Sequence, residues 1–203
     1  MSISRQNLSI IIVTLKSENI IDQCIKSIDN KIPIIVVENS NNENFKNNIE
    51  FKYKNVTCVL SGQNLGMGAG NNIGIKKAKT EYVYVLNPDV ILETETLNEI
   101  YKASQKLKDF SIISPLNTNR SFPNFIKEKD NQDMNSPFEV KYIDGFSMII
   151  DKKKFKDNIF FDENYFLYLE NNDLCLKTRK NGGKIIIIPS SKINHIGANT
   201  VDS

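Results

Sequence analysis

"LSIIIVTLKSENIIDQCIKSIDNKIPIIVVENS", residues 8–40, decides the fold. It opens with an unbroken, largely β-branched run at 8–15, the pattern of a strand covered on both faces. In 17–30 the apolar residues Ile21, Cys24, Ile25 and Ile28 fall three and four apart, which marks one face of a helix with Ser17 as its N-cap. A second buried run follows at 32–40. Strand, helix and buried strand in this order form a βαβ unit, and such units build parallel sheets.

Outward from this unit the alternation continues. Residues 55–60 and 81–86 read as third and fourth strands, and 94–107 as a helix with Leu97, Ile100, Tyr101 and Leu107 facing inward. Between the third and fourth strands, the stretch from Gly66 begins glycine-rich and turns helical. The expected class is α/β, a Rossmann-like, mostly parallel sheet flanked by helices. Ligands of such sheets sit beyond the carboxyl ends of the strands. Thr14, Glu38, Asn39, Ser40 and Asp89 all fall at such ends. The second half differs: 118–138 reads as a loop, 139–151 as a strand bent at Gly145, 165–182 as a helix stopped by Gly182-Gly183, and 184–189 as a short last strand.

Bulk properties narrow the class. The chain has 203 residues, is 40% hydrophobic and 25% charged, and carries a net charge of +2. That is ordinary for a globular protein and too balanced to argue for nucleic acid. Cys24, Cys58 and Cys175 lie far apart with no CxxC pair, so they read as reduced, buried thiols of a cytoplasmic protein. The opening apolar run is too short for a signal peptide, and no window reaches the ~18 apolar residues of a membrane span. Peripheral contact at the membrane surface is left open.

Four segments hold groups capable of chemistry. Asp89, in "NPD", is either a turn residue or a ligand for a hard divalent cation on a diphosphate. "NLGMGAGNNIG" (64–74) is either a tight strand-helix turn or a backbone cradle for an anion at a helix start; it fits neither GxGxxG nor the P-loop. In "ENND" (170–173), Glu170 and Asp173 share a helix face, as a solvated acidic surface or as a general base. His195 is the sole histidine, structural or metal-binding.

Together and in order, these segments resemble the nucleotide-sugar-dependent glycosyltransferases of family two, with the GT-A fold. "IIVVENSN" resembles that family's VVDNxS, with Glu38 in place of Asp. "NLGMGAGNNIGIKKAK" resembles NxGxxxGNNxGxxxA, and "VLNPDVIL" the NPD form of the metal motif in rhamnosyltransferase-like members. "DGFSMIIDKKKF", "FDENYFLYLENNDLCLKTRKNGGKI" and "INHIGANT" resemble the acceptor-side blocks and the terminal His segment.

The resemblance implies one domain over 1–203, with a nucleotide-sugar-binding half (1–115) and a smaller, partly antiparallel acceptor-side half (116–203). It implies donor contacts at Thr14, Glu38, Asn39, Ser40, Asn64, Gly66, Gly68, Gly70, Asn71, Asn72, Asn87 and Asp89. Asp89, with His195, would hold Mn²⁺ or Mg²⁺, and Asp144 and Gly145 would lie near a saccharide acceptor. The implied reaction is inverting transfer from a dTDP- or UDP-linked sugar, rhamnose among the candidates, to a saccharide hydroxyl. The loop 118–138 is the expected seat of acceptor selectivity. One departure matters: Asn171 stands where the family carries its base, which leaves Glu170 or Asp173 for that role. A non-catalytic nucleotide-sugar-binding domain is therefore the alternative, with a dinucleotide-binding oxidoreductase behind it.

Overall fold

The computed structural model describes residues 2–119, 123–129, 133–156 and 159–197. Its first half alternates strictly: β1 (Leu8–Thr14), α1 (Ile21–Lys26), β2 (Ile34–Glu38), α2 (Glu43–Lys52), β3 (Val56–Leu60), α3 (Met67–Lys77) and β4 (Tyr82–Leu86). Then follow β5 (Val90–Leu92), α4 (Thr96–Lys106), β6 (Ile112–Asn117), β7 (Phe125–Lys127), β8 (Phe138–Ile143), β9 (Ser147–Asp151), α5 (Glu170–Lys180) and β10 (Ile185–His195). The strands form one sheet in the order β3-β2-β1-β4-β9-β6-β10-β8-β7, with β5 laid against β10. Strands β3, β2, β1 and β4 are parallel, whereas β9 runs antiparallel between β4 and β6. This is the expected α/β architecture.

Every residue of β1, β2 and β4 is buried, and the two-residue period of a strand divides them between two cores. Ile10, Ile12, Ile34, Val36, Tyr84 and Leu86 face one way, toward Cys24 and Ile25 of α1, Phe45 and Ile49 of α2 and Ile100 of α4. Ile11, Val13, Ile35, Val37, Val83 and Val85 face the other, toward Ile75 of α3 and Leu174 and Cys175 of α5. Gly70 and Gly74 let α3 lie close on β1: a Cβ on Gly70 would sit 2.9 Å from Val13, and one on Gly74 would strike Ile11. The three cysteines are buried free thiols, as expected. Among the described residues no helix is long and apolar enough to cross a membrane.

Several expected boundaries move. Helix α1 begins at Ile21, and Ser17 contributes its carbonyl, not its side chain, to the N–H groups of Ile20 and Ile21. The expected single strand over 139–151 is two strands, because Asp144–Phe146 carry the chain from β8, beside β10, to β9, beside β4. The last strand runs to His195, with a register shift between Ile188 and Lys192 that accommodates Pro189. The stretch 118–138 contains β7; its residues 120–122 and 130–132 lie outside the described residues. Helix α5 starts at Glu170 rather than 165, because Tyr168 and Leu169 are left-handed at φ 66 and 68. Residues 165–169, all apolar or aromatic, are consequently exposed. Helix α2 and strands β5 and β6 were not anticipated from the sequence.

Candidate active site

The Asn87-Pro88-Asp89 turn leaves β4 at the carboxyl-end rim. Its tightness comes from the Val90 N–H donating to the Asn87 carbonyl at 3.2 Å. The turn is pinned to its surroundings by the Asn87 N–H donating to the Phe146 carbonyl at 3.0 Å and the Ile196 N–H donating to the Asp89 carbonyl at 3.0 Å. Cys24 also points its thiol at the Asn87 carbonyl, 3.6 Å away.

Asp89 itself is buried. Its Oδ2 lies 3.2 Å from Nε2 of His195, while its Oδ1 is buried with no hydrogen-bond partner. An ionised carboxylate with one oxygen unfilled is costly to bury. The site therefore fits a divalent cation, for which Asp89 and His195 are the protein ligands available. No group of three or more His, Cys, Asp or Glu side chains converges on a metal position among the described residues. Magnesium-type ions on nucleotides need only one or two carboxylates, since phosphates and water complete the shell.

Strand β5 delivers the histidine. It pairs antiparallel with β10 in a register that sets Val90 opposite His195. The pair joins the two expected halves of the chain. His195 is further held by its N–H on Asn117 Oδ1 (3.0 Å), by its carbonyl accepting from Asn119 Nδ2 (3.1 Å), and by the Phe146 ring stacked on it at 4.0 Å and 19°.

Along the rim, the expected donor residues divide by task. Thr14 offers a buried, unpartnered hydroxyl, and its carbonyl accepts the Asn39 N–H at 2.7 Å. Glu38 is occupied by its own turn: it accepts from the Ser40 N–H (3.2 Å), the Ser40 hydroxyl (2.6 Å) and the Asn42 N–H (3.0 Å). Asn39 and Asn64 bond each other and the Leu65–Gly66 backbone, fixing the approach to α3. Gly66 has φ 83, and a Cβ there would collide with the Phe166 carbonyl, which accepts the Met67 N–H at 3.1 Å. Gly70 faces β1 rather than the rim. Asn71 is buried, and Asn72 braces a distant segment: it accepts the Phe161 N–H (3.0 Å) and donates to the Phe161 carbonyl (2.8 Å) and to Glu163 (2.9 Å).

The start of α5 packs between Gly68 and the β8–β9 corner. Glu170 is buried between Gly68 and Gly145: a Cβ on Gly68 would lie 3.5 Å from Glu170 Cβ, and one on Gly145 3.8 Å from Oε1. Its Oε2 has no partner, and burial pushes its carboxyl above the ordinary value of 4.5. Asn171 donates to the Ile143 carbonyl at 3.0 Å. Asp173 is bound to Lys177 at 2.7 Å, and that lysine also reaches Asp162 at 3.1 Å. Asp144, beside Gly145, is raised by burial, an effect that nearby His195 opposes. Phe146, Asn117 and Asn119 were missed from the sequence. Only the aromatic within "DGFSM" offered a signal for any of them.

A βαβ sheet with a carboxylate–histidine pair and a glycine-started helix on its carboxyl-end rim has the architecture of GT-A glycosyltransferases. The sequence matches the description of "Glycosyl transferase family 2" over residues 9–170, and the chain belongs to that family. It is 29% identical over 195 residues to the low-salt glycan biosynthesis hexosyltransferase Agl10 of Haloferax volcanii, covering 86% of this chain and 62% of that protein. It is 30% identical over 121 residues to the poly(ribitol-phosphate) β-N-acetylglucosaminyltransferase TarP of Staphylococcus aureus, covering 56% of this chain and 36% of that one. Among solved structures, S. aureus TarS 1–349 in complex with UDP superposes with a TM-score of 0.73 at 20% identity, over 92% of this chain and 59% of that one. GalNAc-T7 with UDP, GalNAc and Mn²⁺ superposes at 0.76 and 15% identity, over 93% and 43%. The chain thus spans less than two thirds of the length of each of these relatives.

Proposed function

We propose that the protein is a metal-assisted, inverting glycosyltransferase that uses a nucleoside-diphosphate sugar and a saccharide hydroxyl. The observation that carries this is a pair of buried, incompletely bonded carboxylates, Asp89 on the rim and Glu170 at the start of α5, linked through the β8–β9 corner, where Gly145 packs on Glu170 and Phe146 stacks on His195. Asp89 and His195 would hold the cation, which supplies positive charge to the leaving diphosphate when bound. Thr14 and the backbone ahead of α3 hold the nucleotide, Asn39 and Asn64 shape that backbone, and the helix start favours its phosphates.

Glu170 is the base. Burial keeps its carboxyl proton-avid, and Gly68 and Gly145, which carry no side chains, pack on either side of it. Asp173 is neutralised by Lys177 and is the weaker candidate. In one displacement the acceptor oxygen bonds to C1 of the sugar as the C1–O bond to the diphosphate breaks. Attack on the face opposite the leaving diphosphate inverts the anomeric centre, and the hydroxyl proton passes to Glu170. Asp144 and Gly145 border the acceptor, and 118–138 selects it. UDP is the favoured donor nucleotide, since TarS and GalNAc-T7 are both solved with it. dTDP-rhamnose rests on the NPD spelling alone.

Asn171 supports a second reading, a domain that binds a nucleotide sugar without transferring it. Calorimetric titration with UDP and dTDP, with Mn²⁺ and with EDTA, followed by assay of UDP release from UDP-sugars, separates the two. Metal-dependent nucleotide binding with turnover establishes the enzyme. Binding without any turnover, acceptors included, establishes the binding domain, and no nucleotide binding at all sinks both.

A further inference from the structure

The last torsion of a histidine side chain has only broad, roughly two-fold preferences of its own. His195 therefore needs something beyond its backbone to aim Nε2 at Asp89. The bonds to Asn117 and Asn119 fix only its peptide groups. The ring is flanked by Phe146, nearly parallel at 19° and 4.0 Å between centroids.

We propose that Phe146 is a positioning residue for the cation site: its ring sets the plane of His195 while its carbonyl sets the turn that carries Asp89. Both attachments are made by one residue. The carbonyl accepts the Asn87 N–H at 3.0 Å, and the side chain, 8% exposed, is anchored in the core cluster that also contains Val90 and Ile193. Phe146 thus spans the two strands whose ends must meet. One, β4, leads to Asp89, and the other, β10, ends in His195; the result is the 3.2 Å separation of Oδ2 and Nε2. The role is one of orientation, since Phe146 has no atom able to ligate a cation or take a proton.

This inference rests on the metal-assisted reading above, and the test keeps the two apart. Mn²⁺ affinity of the UDP-loaded protein is measured for wild type, Phe146→Leu, the more volume-conserving Phe146→Met, His195→Ala and the double variants. Loss of a group that orients a metal-binding histidine typically costs ~10-fold or more in metal affinity. We expect about a tenfold loss in Phe146→Leu and Phe146→Met, and no further loss when either is added to His195→Ala. Wild-type affinity in both single variants overturns the proposal. So does an equal loss in the His195→Ala background, which would mean that Phe146 acts through the turn alone.

The second readout needs no metal. His195 is the only histidine, so its imidazole ¹⁵N and ¹H resonances are unambiguous. Wild type should show one ring orientation with a protected Nε2–H, and Phe146→Met should show an exchanging, averaged ring at unchanged fold. An averaged ring in wild type, or a wild-type spectrum in the variant, overturns the positioning role. Wild-type protein that binds UDP but no Mn²⁺ would remove the metal reading, and the ring spectrum would then decide the positioning role by itself.

Discussion

Glu170 and Gly145 stand against each other where α5 meets the β8–β9 corner. A Cβ on Gly145 would fall 3.8 Å from Glu170 Oε1 and 3.3 Å from Asn171 Cβ. Glycine at 145 therefore lets the β8–β9 corner pack closely on Glu170, which is buried and has an unpaired oxygen. Glu170→Gln preserves this shape and removes only the carboxylate proposed as the base. Transfer should fall by about 10²–10⁴-fold, the usual worth of a general base, while UDP affinity stays unchanged. Equal loss of UDP affinity would move Glu170 from the chemistry to the donor site.

The same residue sets the expected pH dependence. Burial raises its carboxyl above 4.5, and the base works only when ionised. Transfer should climb with pH through a step lying above 4.5, and that step should vanish in Glu170→Gln. Stability runs the opposite way. The folded state holds this proton more tightly than the unfolded chain, so the contribution is full below pH 4.5 and is lost as pH rises through the folded value. Glu170→Gln should flatten that decline in urea-denaturation measurements across pH 4–7. A decline of wild-type steepness in the variant would assign it to other groups.

Asp89→Asn separates stability from function at the rim. The substitution keeps the side-chain shape and removes a buried charge with an unfilled oxygen. In metal-free protein the melting temperature should hold or rise, because that charge is costly where it sits. Mn²⁺ should no longer tighten UDP binding, and transfer should fall at least tenfold. A variant that is much less stable without metal would make the Asp89–His195 contact structural.

Gly66→Ala tests the brace over the donor rim. Its backbone (φ 83, ψ 176) lies in a region nearly confined to glycine, which costs other residues about 1–3 kcal/mol. A methyl there also meets the Phe166 carbonyl head-on. The 161–169 segment must then lift from α3. Hydrogen exchange should quicken at the Met67 amide, and UDP affinity should fall. Unchanged exchange at that amide would contradict the collision.

What the sequence made legible follows from range. The βαβ core was readable because β1, β2 and β4 are buried on both faces and declare themselves as apolar runs. Asp89 and Glu170 were readable as residues at element ends. Strand β5 was not: three residues are too few to show a period, and its strand character comes from pairing with β10. Without that pairing, periodicity and spacing could not bring His195 to Asp89; only the family resemblance placed them together. The run 165–169 looked helical by composition, yet left-handed Tyr168 and Leu169 delay α5 to Glu170. The bracing role of Asn72 was not readable, because its partner Phe161 lies far along the chain.

Asn171→Asp restores the acid that the family usually carries at this position, and it is the sharpest way to ask where the base lies. In this protein the amide nitrogen of Asn171 donates to the Ile143 carbonyl at 3.0 Å. A carboxylate cannot donate, and it would set its charge against that carbonyl oxygen. Leaving the carbonyl unpaired and adding the repulsion should cost about 1–3 kcal/mol of stability by denaturant titration. If Glu170 is the base, the variant gains no transfer, even though the new carboxylate would also lie beside Gly145, since the Asn171 Cγ is 3.7 Å from a Cβ built there. A rise in turnover of tenfold or more would show that position 171 reaches the acceptor. Glu170 would then be its neighbour and not the base.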